Sequence, residues 1–161
     1  MKKFKDHTLQ EYLDRLSARE PVPGGGSAAA LSSALGAGLI CMVTRYSLGK
    51  GKPAAIESKL TKTLAKAEDI RARLLELVDE DAEVYLGVVA ARKLDAKAQK
   101  AAAKKSAQVP KAICRLSYDA VELTPFVVEH GNPHLISDIE AALEFLLAGY
   151  HSGLVMIKAN Q

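Results

Sequence analysis

The sequence has no tryptophan, and aromatic residues make up only 5% of its 161 residues. Its two cysteines, Cys41 and Cys114, lie in separate apolar segments. Because two isolated thiols do not make the disulfide framework of a small secreted domain, we expect a protein of the reducing cytoplasm. The formal net charge of +3 is too small to indicate a nucleic-acid partner by itself.

Several motifs of common catalytic and metal sites are also missing. The histidines, His7, His130, His134 and His151, lack the spacing of zinc ligands, and no Cys-x-x-Cys occurs. There is no Gly-x-Ser-x-Gly nucleophile motif, and the glycine run has neither Walker nor dinucleotide-binding spacing. The N-terminus is basic but lacks the apolar stretch of a signal peptide. We therefore expect no metal and no secretion signal.

The composition that is present favours helices. Ala and Leu are abundant, hydrophobic residues reach 48%, and no segment shows the regular alternation of a strand. The length suits a single domain that covers residues 1–161. These features predict an all-α, single-domain helical bundle of about five or six helices, including a long central helix.

Capping signals and prolines mark the predicted helix boundaries. Two capping boxes, Thr8–Glu11 and Ser137–Glu140, open the first and last helices. Between the first and the last helix, Pro110 and Pro125 are expected to interrupt the helical chain. The predicted helices follow in chain order. The first runs from Thr8 to before Pro21, the second from about Ser27 to Leu48, and the third from about Pro53 to Leu94. The next begins with a cap at Asp95 and is interrupted at Pro110, a further one continues to Pro125, and the last begins at Ser137.

The most informative segment is residues 21–44, in which a Pro-Val-Pro-Gly-Gly-Gly-Ser turn leads into small, uncharged residues. A helix that starts near Ser27 would direct its free N–H groups at the glycines, where a ligand can approach the backbone closely. Alternatively, Gly24–Ser27 is a tight connection with Ser27 as an ordinary N-cap. The run is long enough to span a membrane, but Ala, Ser and Gly supply much of it. A buried soluble helix is therefore favoured.

Asp81 is the most informative single residue, because it lies in the apolar stripe of the third helix. The residues three and four positions away on either side are Leu, Val, Val and Tyr, whereas Asp79 and Glu80 are expected to point elsewhere. Burial would raise the pKa of Asp81 toward the range that is useful for acid–base chemistry. An equally supported interpretation is a buried Asp that pairs with a Lys or Arg or caps a neighbouring helix.

Two further polar groups have ordinary structural explanations. From spacing alone, Ser137 and Asp138 are best interpreted as the N-cap and the first residue of the last helix. The lysines between residues 97 and 105 are typical of a solvated helix face, although they could also attract a polyanionic ligand tail.

Three separated segments together resemble the cyclodeaminase/cyclohydrolase family. They are Pro-Val-Pro-Gly-Gly-Gly-Ser-Ala-Ala-Ala-Leu at 21–31 with the later Gly49-Lys50, Leu-Val-Asp-Glu-Asp-Ala-Glu-Val-Tyr at 77–85, and Gly-Asn-Pro-His-Leu-Ile-Ser-Asp at 131–138 with the closing Ile-Lys-Ala-Asn at 157–160. They occur in the family's order over nearly the whole chain. The family includes the cyclodeaminase domain of formiminotransferase-cyclodeaminase and stand-alone methenyltetrahydrofolate cyclohydrolases.

The resemblance implies an all-helical homodimer that acts on one-carbon derivatives of tetrahydrofolate, with no metal and no cofactor beyond the folate substrate. It also implies site residues. Asp81 matches the family's catalytic carboxylate, and the residues that match its substrate-binding segments are Gly24, Gly25, Gly26, Ser27, Ser137 and Asp138. On this basis the glycine loop is expected to form one wall of the folate pocket, with Asp81 on the opposite wall.

Two functions remain open at this point. The first is an enzyme that hydrolyses 5,10-methenyltetrahydrofolate to 10-formyltetrahydrofolate, or performs the deaminating cyclisation of 5-formiminotetrahydrofolate. A buried carboxylate at position 81 would serve either reaction as acid and base. The second is a catalytically inactive folate-binding or assembly module of the same fold. The absence of a formiminotransferase domain favours the cyclohydrolase.

Overall fold

The computed structural model describes residues 2–159, and within them the chain forms seven α-helices, two short 3-10 turns and no strand. The predicted all-α bundle with one long helix is confirmed. The structure has more helices than the five or six predicted, because the interruptions near Pro110 and Pro125 each separate a short helix from its neighbour. The helices are α1 (Leu9–Ser17), α2 (Gly25–Ser47), α3 (Ala54–Ala91), α4 (Ala96–Ser106), α5 (Gln108–Val121), α6 (Thr124–His130) and α7 (Ile136–Ala159).

Most predicted helix boundaries agree with the structure. The Thr8 capping box is formed, and the Asp95 side chain accepts the N–H of Ala98 at the start of α4. Gly49, which follows α2 with a φ of +68°, supplies the left-handed residue that often terminates helices. However, α2 begins at Gly25, so Ser27 is its third residue and not its N-cap. Its side chain is therefore free for a different contact.

The predicted capping box at Ser137 is wrong. The chain turns at Asn132, whose side chain accepts the N–H of His134, and a 3-10 turn at Pro133–Leu135 leads directly into α7. Because α7 already begins at Ile136, Ser137 lies within its first turn and does not cap it. Asp138 also lies in that first turn, where the helix dipole favours a negative charge.

The small residues of α2 make it the centre of the bundle. It packs mainly against α7 on one side and α3 on the other. A Cβ atom built on Gly36 would lie 2.7 Å from the carbonyl oxygen of Ala142, and one on Gly149 would lie 2.8 Å from that of Ala29. At these points α2 and α7 approach backbone to backbone, as the small-residue run predicts.

Within the part of the chain that the structure describes, α2 is the one helix long and apolar enough to cross a membrane. Its most apolar window has a mean hydropathy of 1.7, and 61% of that window is buried inside the bundle. A core helix of a globular domain has these properties, so the observation agrees with the packing against α3 and α7.

The apolar stripes of two helices extend beyond the core. On α3, Leu60, Leu74 and Val78 are buried, but Tyr85 is 42% exposed. On α1, Leu9 is also exposed, whereas Tyr12 is buried. The periodicity of these helices therefore overestimates how much of each stripe is covered.

Candidate active site

Asp81 lies in direct contact with the first turn of α2. Its Oδ2 accepts the backbone N–H of Ser27 at 3.0 Å. A Cβ atom on Gly26 would lie 2.0 Å from Asp81 Oδ1, so no residue with a side chain fits at position 26 with this geometry. The start of α2 thus binds an anion, as the glycine loop suggested, but the anion is the chain's own carboxylate.

The Asp81 carboxylate is partly buried and carries no compensating cation. Burial raises its pKa, and the hydrogen bond from the Ser27 N–H opposes that rise. No Lys, Arg or His among the described residues contributes to the shift. The alternative interpretation had two parts: pairing with a Lys or Arg does not apply, whereas capping of a neighbouring helix does, because the carboxylate accepts the Ser27 N–H at the start of α2. What the structure does show is a carboxyl group that caps a neighbouring helix and has an increased affinity for a proton.

A buried tyrosine completes this cluster. The Tyr12 hydroxyl lies 3.0 Å from Ser27 Oγ, and both side chains are buried. Burial raises the pKa of Tyr12, the hydrogen bond with Ser27 lowers it, and the negative charges of Asp81 and Asp79 raise it further. In the sequence, Tyr12 shares an apolar stripe with Leu9, Leu13 and Leu16, which predicts burial and no polar contact. The available signal was a tyrosine at a core-facing position of one helix, followed in the chain by the polar start of the next helix.

Asp79 is also buried, contrary to the expectation that it points away from the core. Only 6% of its surface is exposed, and its Oδ1 accepts the N–H of Phe4 at 2.5 Å. The N-terminal segment packs across α3 and covers this carboxylate. Glu80, by contrast, pairs with Arg73, whose guanidinium donates to its carboxylate and lowers its pKa.

The four residues of the glycine loop have different surroundings. Gly26 and Ser27 are buried against Asp81, so the Ser27 hydroxyl faces Tyr12 and not an open pocket. Gly24 is half-buried with open space at its Cα, and Gly25 borders a groove of about 310 Å³ between α2 and α7. Because Asp81 touches the loop, the two form one wall together, and the predicted arrangement on opposite walls is wrong.

Ser137 and Asp138 lie at the other end of α2. The Asn132 N–H donates to Ser47 Oγ at 2.9 Å, which holds the start of α7 beside the last turn of α2. Ser27 and Ser47 are about 30 Å apart along α2 at 1.5 Å per residue. One chain therefore does not bring Ser137 and Asp138 to the Asp81 carboxylate.

Residues 2–159 contain no group of three or more His, Cys, Asp or Glu side chains that could hold a metal ion. Both cysteines are free and buried, and the Cys114 thiol donates to the carbonyl oxygen of Tyr150. The chemical groups at the head of α2 are therefore a carboxyl group, backbone N–H groups and two hydroxyls. Such a set can transfer protons and stabilise a cation.

Residues 8–161 match the sequence model of the formiminotransferase-cyclodeaminase family. A methenyltetrahydrofolate cyclohydrolase from Methylorubrum extorquens is 34% identical over 165 residues, which cover 96% of this chain and 79% of that protein. The formimidoyltransferase-cyclodeaminase of Rattus norvegicus is 26% identical over 96% of this chain, but the match spans only 30% of that longer protein.

The fold is also similar to that of a solved structure. The formiminotetrahydrofolate cyclodeaminase from Thermotoga maritima matches with a TM-score of 0.92 and 26% identity. The match covers 97% of this chain and 79% of that chain. The helices that carry Asp81 and the glycine loop thus belong to an arrangement shared with that protein.

Proposed function

The chain belongs to the formiminotransferase-cyclodeaminase family, and from this premise we propose that it hydrolyses 5,10-methenyltetrahydrofolate to 10-formyltetrahydrofolate. The 34% identity to a methenyltetrahydrofolate cyclohydrolase over most of both chains supports this reaction. The observation that carries the proposal is the partly buried Asp81 carboxylate, which has a raised pKa and no cationic partner among the described residues. The side chain lies at the head of α2 and is only partly buried.

The reaction requires a group that accepts a proton and later returns one. Water adds to the methenyl carbon, and Asp81 takes one proton from it. The bond between that carbon and N5 of the folate then breaks, and the proton held by Asp81 moves to N5. The remaining hydroxyl proton is released to solvent as the formyl C=O forms. A raised pKa suits Asp81 to both transfers, because the ideal pKa of such a group lies near the working pH.

The charge of the substrate also fits the site. The methenyl group is part of a cationic amidinium, and Asp81 is a carboxylate that no Lys, Arg or His of the described chain neutralises. A carboxylate in a partly desolvated site attracts such a cation more strongly than one in water. The Ser27 N–H holds the carboxylate in place, so little reorganisation is needed during the reaction.

Deaminating cyclisation of 5-formiminotetrahydrofolate is the second candidate. The structural similarity to the cyclodeaminase from Thermotoga maritima favours it. In this reaction N10 of the folate attacks the formimino carbon, and the C–N bond to the formimino nitrogen breaks. That nitrogen takes up the proton released by N10 and one proton from protonated Asp81, and it leaves as ammonia. The raised pKa of Asp81 serves this direction as well, because it increases the fraction of the acid form.

A spectroscopic assay distinguishes these candidates. Purified protein is mixed with 5,10-methenyltetrahydrofolate, and its loss is followed after correction for spontaneous hydrolysis. In parallel, 5-formiminotetrahydrofolate is supplied and ammonia is measured. Accelerated hydrolysis without ammonia release supports the cyclohydrolase, whereas ammonia release supports the cyclodeaminase. Tight folate binding without turnover would indicate an inactive binding module, and neither binding nor turnover would refute the folate assignment.

We also propose that the protein works in the cytoplasm as a homodimer. The outer face of α2 supports the dimer, because Leu31, Leu35, Leu39 and Met42 line an apolar groove of about 440 Å³ together with Phe145. Leu35 is 50% exposed in the single chain. A second copy of this surface, related by a two-fold axis, would bury these side chains against each other. The two free, buried thiols are compatible with a reducing compartment.

A dimer would also allow Ser137 and Asp138 to contribute to substrate binding. Both residues lie about one helix length away from Asp81 in the same chain. A two-fold axis across the face of α2 places the second copy antiparallel and moves the start of its α7 toward the glycine loop. We therefore propose composite sites, each formed by Asp81 of one copy and by Ser137 and Asp138 of the other copy. Loss of turnover on dissociation of the dimer would support this arrangement.

A further inference from the structure

Tyr12 connects α1 to the first turn of α2 through a single serine. Its ring packs edge-to-face against Phe4, with the centroids 6.3 Å apart. Its hydroxyl lies 3.0 Å from Ser27 Oγ, and the backbone N–H of the same serine donates to Asp81 Oδ2 at 3.0 Å. Ser27 therefore joins a buried tyrosine hydroxyl to the proposed catalytic carboxylate.

We propose that Tyr12 is a positioning residue for the reaction, because it fixes the Ser27 side chain and so keeps the first turn of α2 against Asp81. This inference rests on the proposed function, since it concerns the same site. The hydroxyl of Tyr12 bonds to Ser27, and no hydrogen bond joins it to Asp81 in the described structure. Tyr12 thus acts through the serine and is not itself the acid or the base.

The chemistry of a serine in a first helical turn explains why a partner is needed. Such a hydroxyl can bond back to a backbone carbonyl or turn toward a nearby carboxylate. In this fold the Ser27 side chain is fully buried, so its hydroxyl would have no water to replace a missing protein partner. The Tyr12 hydroxyl is the hydrogen-bond partner of the Ser27 hydroxyl, which leaves the Ser27 N–H directed at Asp81.

The bond that Tyr12 supports also affects proton transfer. The Ser27 N–H opposes the burial that raises the pKa of Asp81. If this bond lengthens, the pKa of Asp81 rises further, and the carboxylate loses its fixed orientation. The charged or titratable groups that affect the cluster are Asp79 and Asp81 on α3 and Tyr12 on α1. A tyrosine is neutral near pH 7, and burial raises the pKa of Tyr12 further, so removal of its hydroxyl removes no charge.

The variant Tyr12→Phe tests this role because it keeps the buried ring and removes one oxygen atom. We expect kcat to fall about tenfold as the carboxylate shifts, with KM changed by less than about twofold. The acid limb of the profile of kcat/KM against pH should move to higher pH. A variant with an unchanged kcat and an unchanged pH profile, or with an effect on thermal stability alone, would overturn the proposal.

A control and a double variant locate the effect. Tyr118→Phe changes a tyrosine on α5 that is 56% exposed, and it should leave kcat and the pH profile unaltered. Ser27→Ala removes the partner of Tyr12, so adding Tyr12→Phe to it should cause no further loss. Additive losses in the double variant would contradict an action through Ser27. Circular dichroism on each variant verifies that the helices are retained.

Amide hydrogen exchange tests the positioning without turnover. In Tyr12→Phe the Ser27 amide should exchange at least about tenfold faster than in the wild type, because its bond to Asp81 opens more often. An unchanged exchange rate would overturn the positioning role even in an active enzyme. Faster exchange in a protein that does not turn over folates would support the contact and refute only the proposed reaction.

Discussion

The carboxylate of Asp81 occupies the space where a side chain at Gly26 would begin. A Cβ atom on that glycine would lie 2.0 Å from Asp81 Oδ1 and 2.5 Å from its Cγ. The N–H of the next residue, Ser27, holds Oδ2 at 3.0 Å. The glycine is thus required by the position of the acid, and the two residues are expected to function as one unit.

Substitution of Gly26 should displace the acid and leave the fold in place. The change Gly26→Ala forces Asp81 aside, and a shift of about 1 Å is expected to lower kcat by roughly 100-fold. The control Gly87→Ala makes the same change on α3, where nothing lies within 4 Å of the new atom. Steady-state assays and thermal melts measure both effects. Wild-type activity in Gly26→Ala would show that the contact is dispensable.

The pH dependence of stability should reveal the buried acid. Because the pKa of Asp81 is raised in the folded state, its contribution to stability is complete below its ordinary pKa and is lost as pH rises through the folded value. Asp81→Asn removes this ionisation. In urea denaturation between about pH 4 and pH 8, the variant should gain stability relative to the wild type as pH rises. A relative gain on acidification would contradict the raised pKa.

Asp79 should matter for stability more than for catalysis. Its carboxylate accepts the Phe4 N–H in a buried position, so Asp79→Ala is expected to lower the free energy of unfolding by about 2 kcal/mol. Phe4→Ala should lower it by about 3 kcal/mol, since Phe4 is itself buried. Urea titrations measure both, and kcat at a temperature where the variants are folded serves as the comparison. A loss of kcat without a loss of stability would assign Asp79 to the reaction.

The outer face of α2 should determine the oligomeric state. Leu35→Glu places a charge in the apolar groove, so the proposed dimer should dissociate into monomers in size-exclusion chromatography with light scattering. The control Leu94→Glu changes a similarly exposed leucine outside the groove and should remain dimeric. A wild type that elutes as a monomer, or a Leu35→Glu variant that stays dimeric, would reject this interface.

Local patterns in the sequence were sufficient for most of the fold. The side chains of Thr8 and Asp95 cap the helices that follow them directly. The breaks near Pro110 and Pro125 also lie within a few residues of the helix boundaries that they set. At the start of α7 the competing 3-10 turn at Pro133–Leu135 supplied the boundary in place of Ser137, whose spacing alone looked equally suitable.

The site was only partly predictable, because its contacts join distant parts of the chain. Asp81 stood out since its helical neighbours are apolar, and the glycines stood out by composition. Their mutual contact spans 54 residues, and no local rule indicates it. Asp79 is about 200° around α3 from Asp81, so the pattern that buries Asp81 predicts exposure for Asp79. It is buried because Phe4, 75 residues away in sequence, packs over it.

The central claim is that Asp81 transfers protons in folate chemistry, and the turnover of 5,10-methenyltetrahydrofolate by Asp81→Asn tests it most directly. Asn retains the size of the side chain and an oxygen that can accept the Ser27 N–H, but it cannot act as a base. The control Asp69→Asn makes the same change at an exposed position of α3. The account predicts that Asp81→Asn lowers kcat by about 100-fold to 10,000-fold while Asp69→Asn remains fully active. Wild-type turnover by a folded Asp81→Asn protein would contradict it.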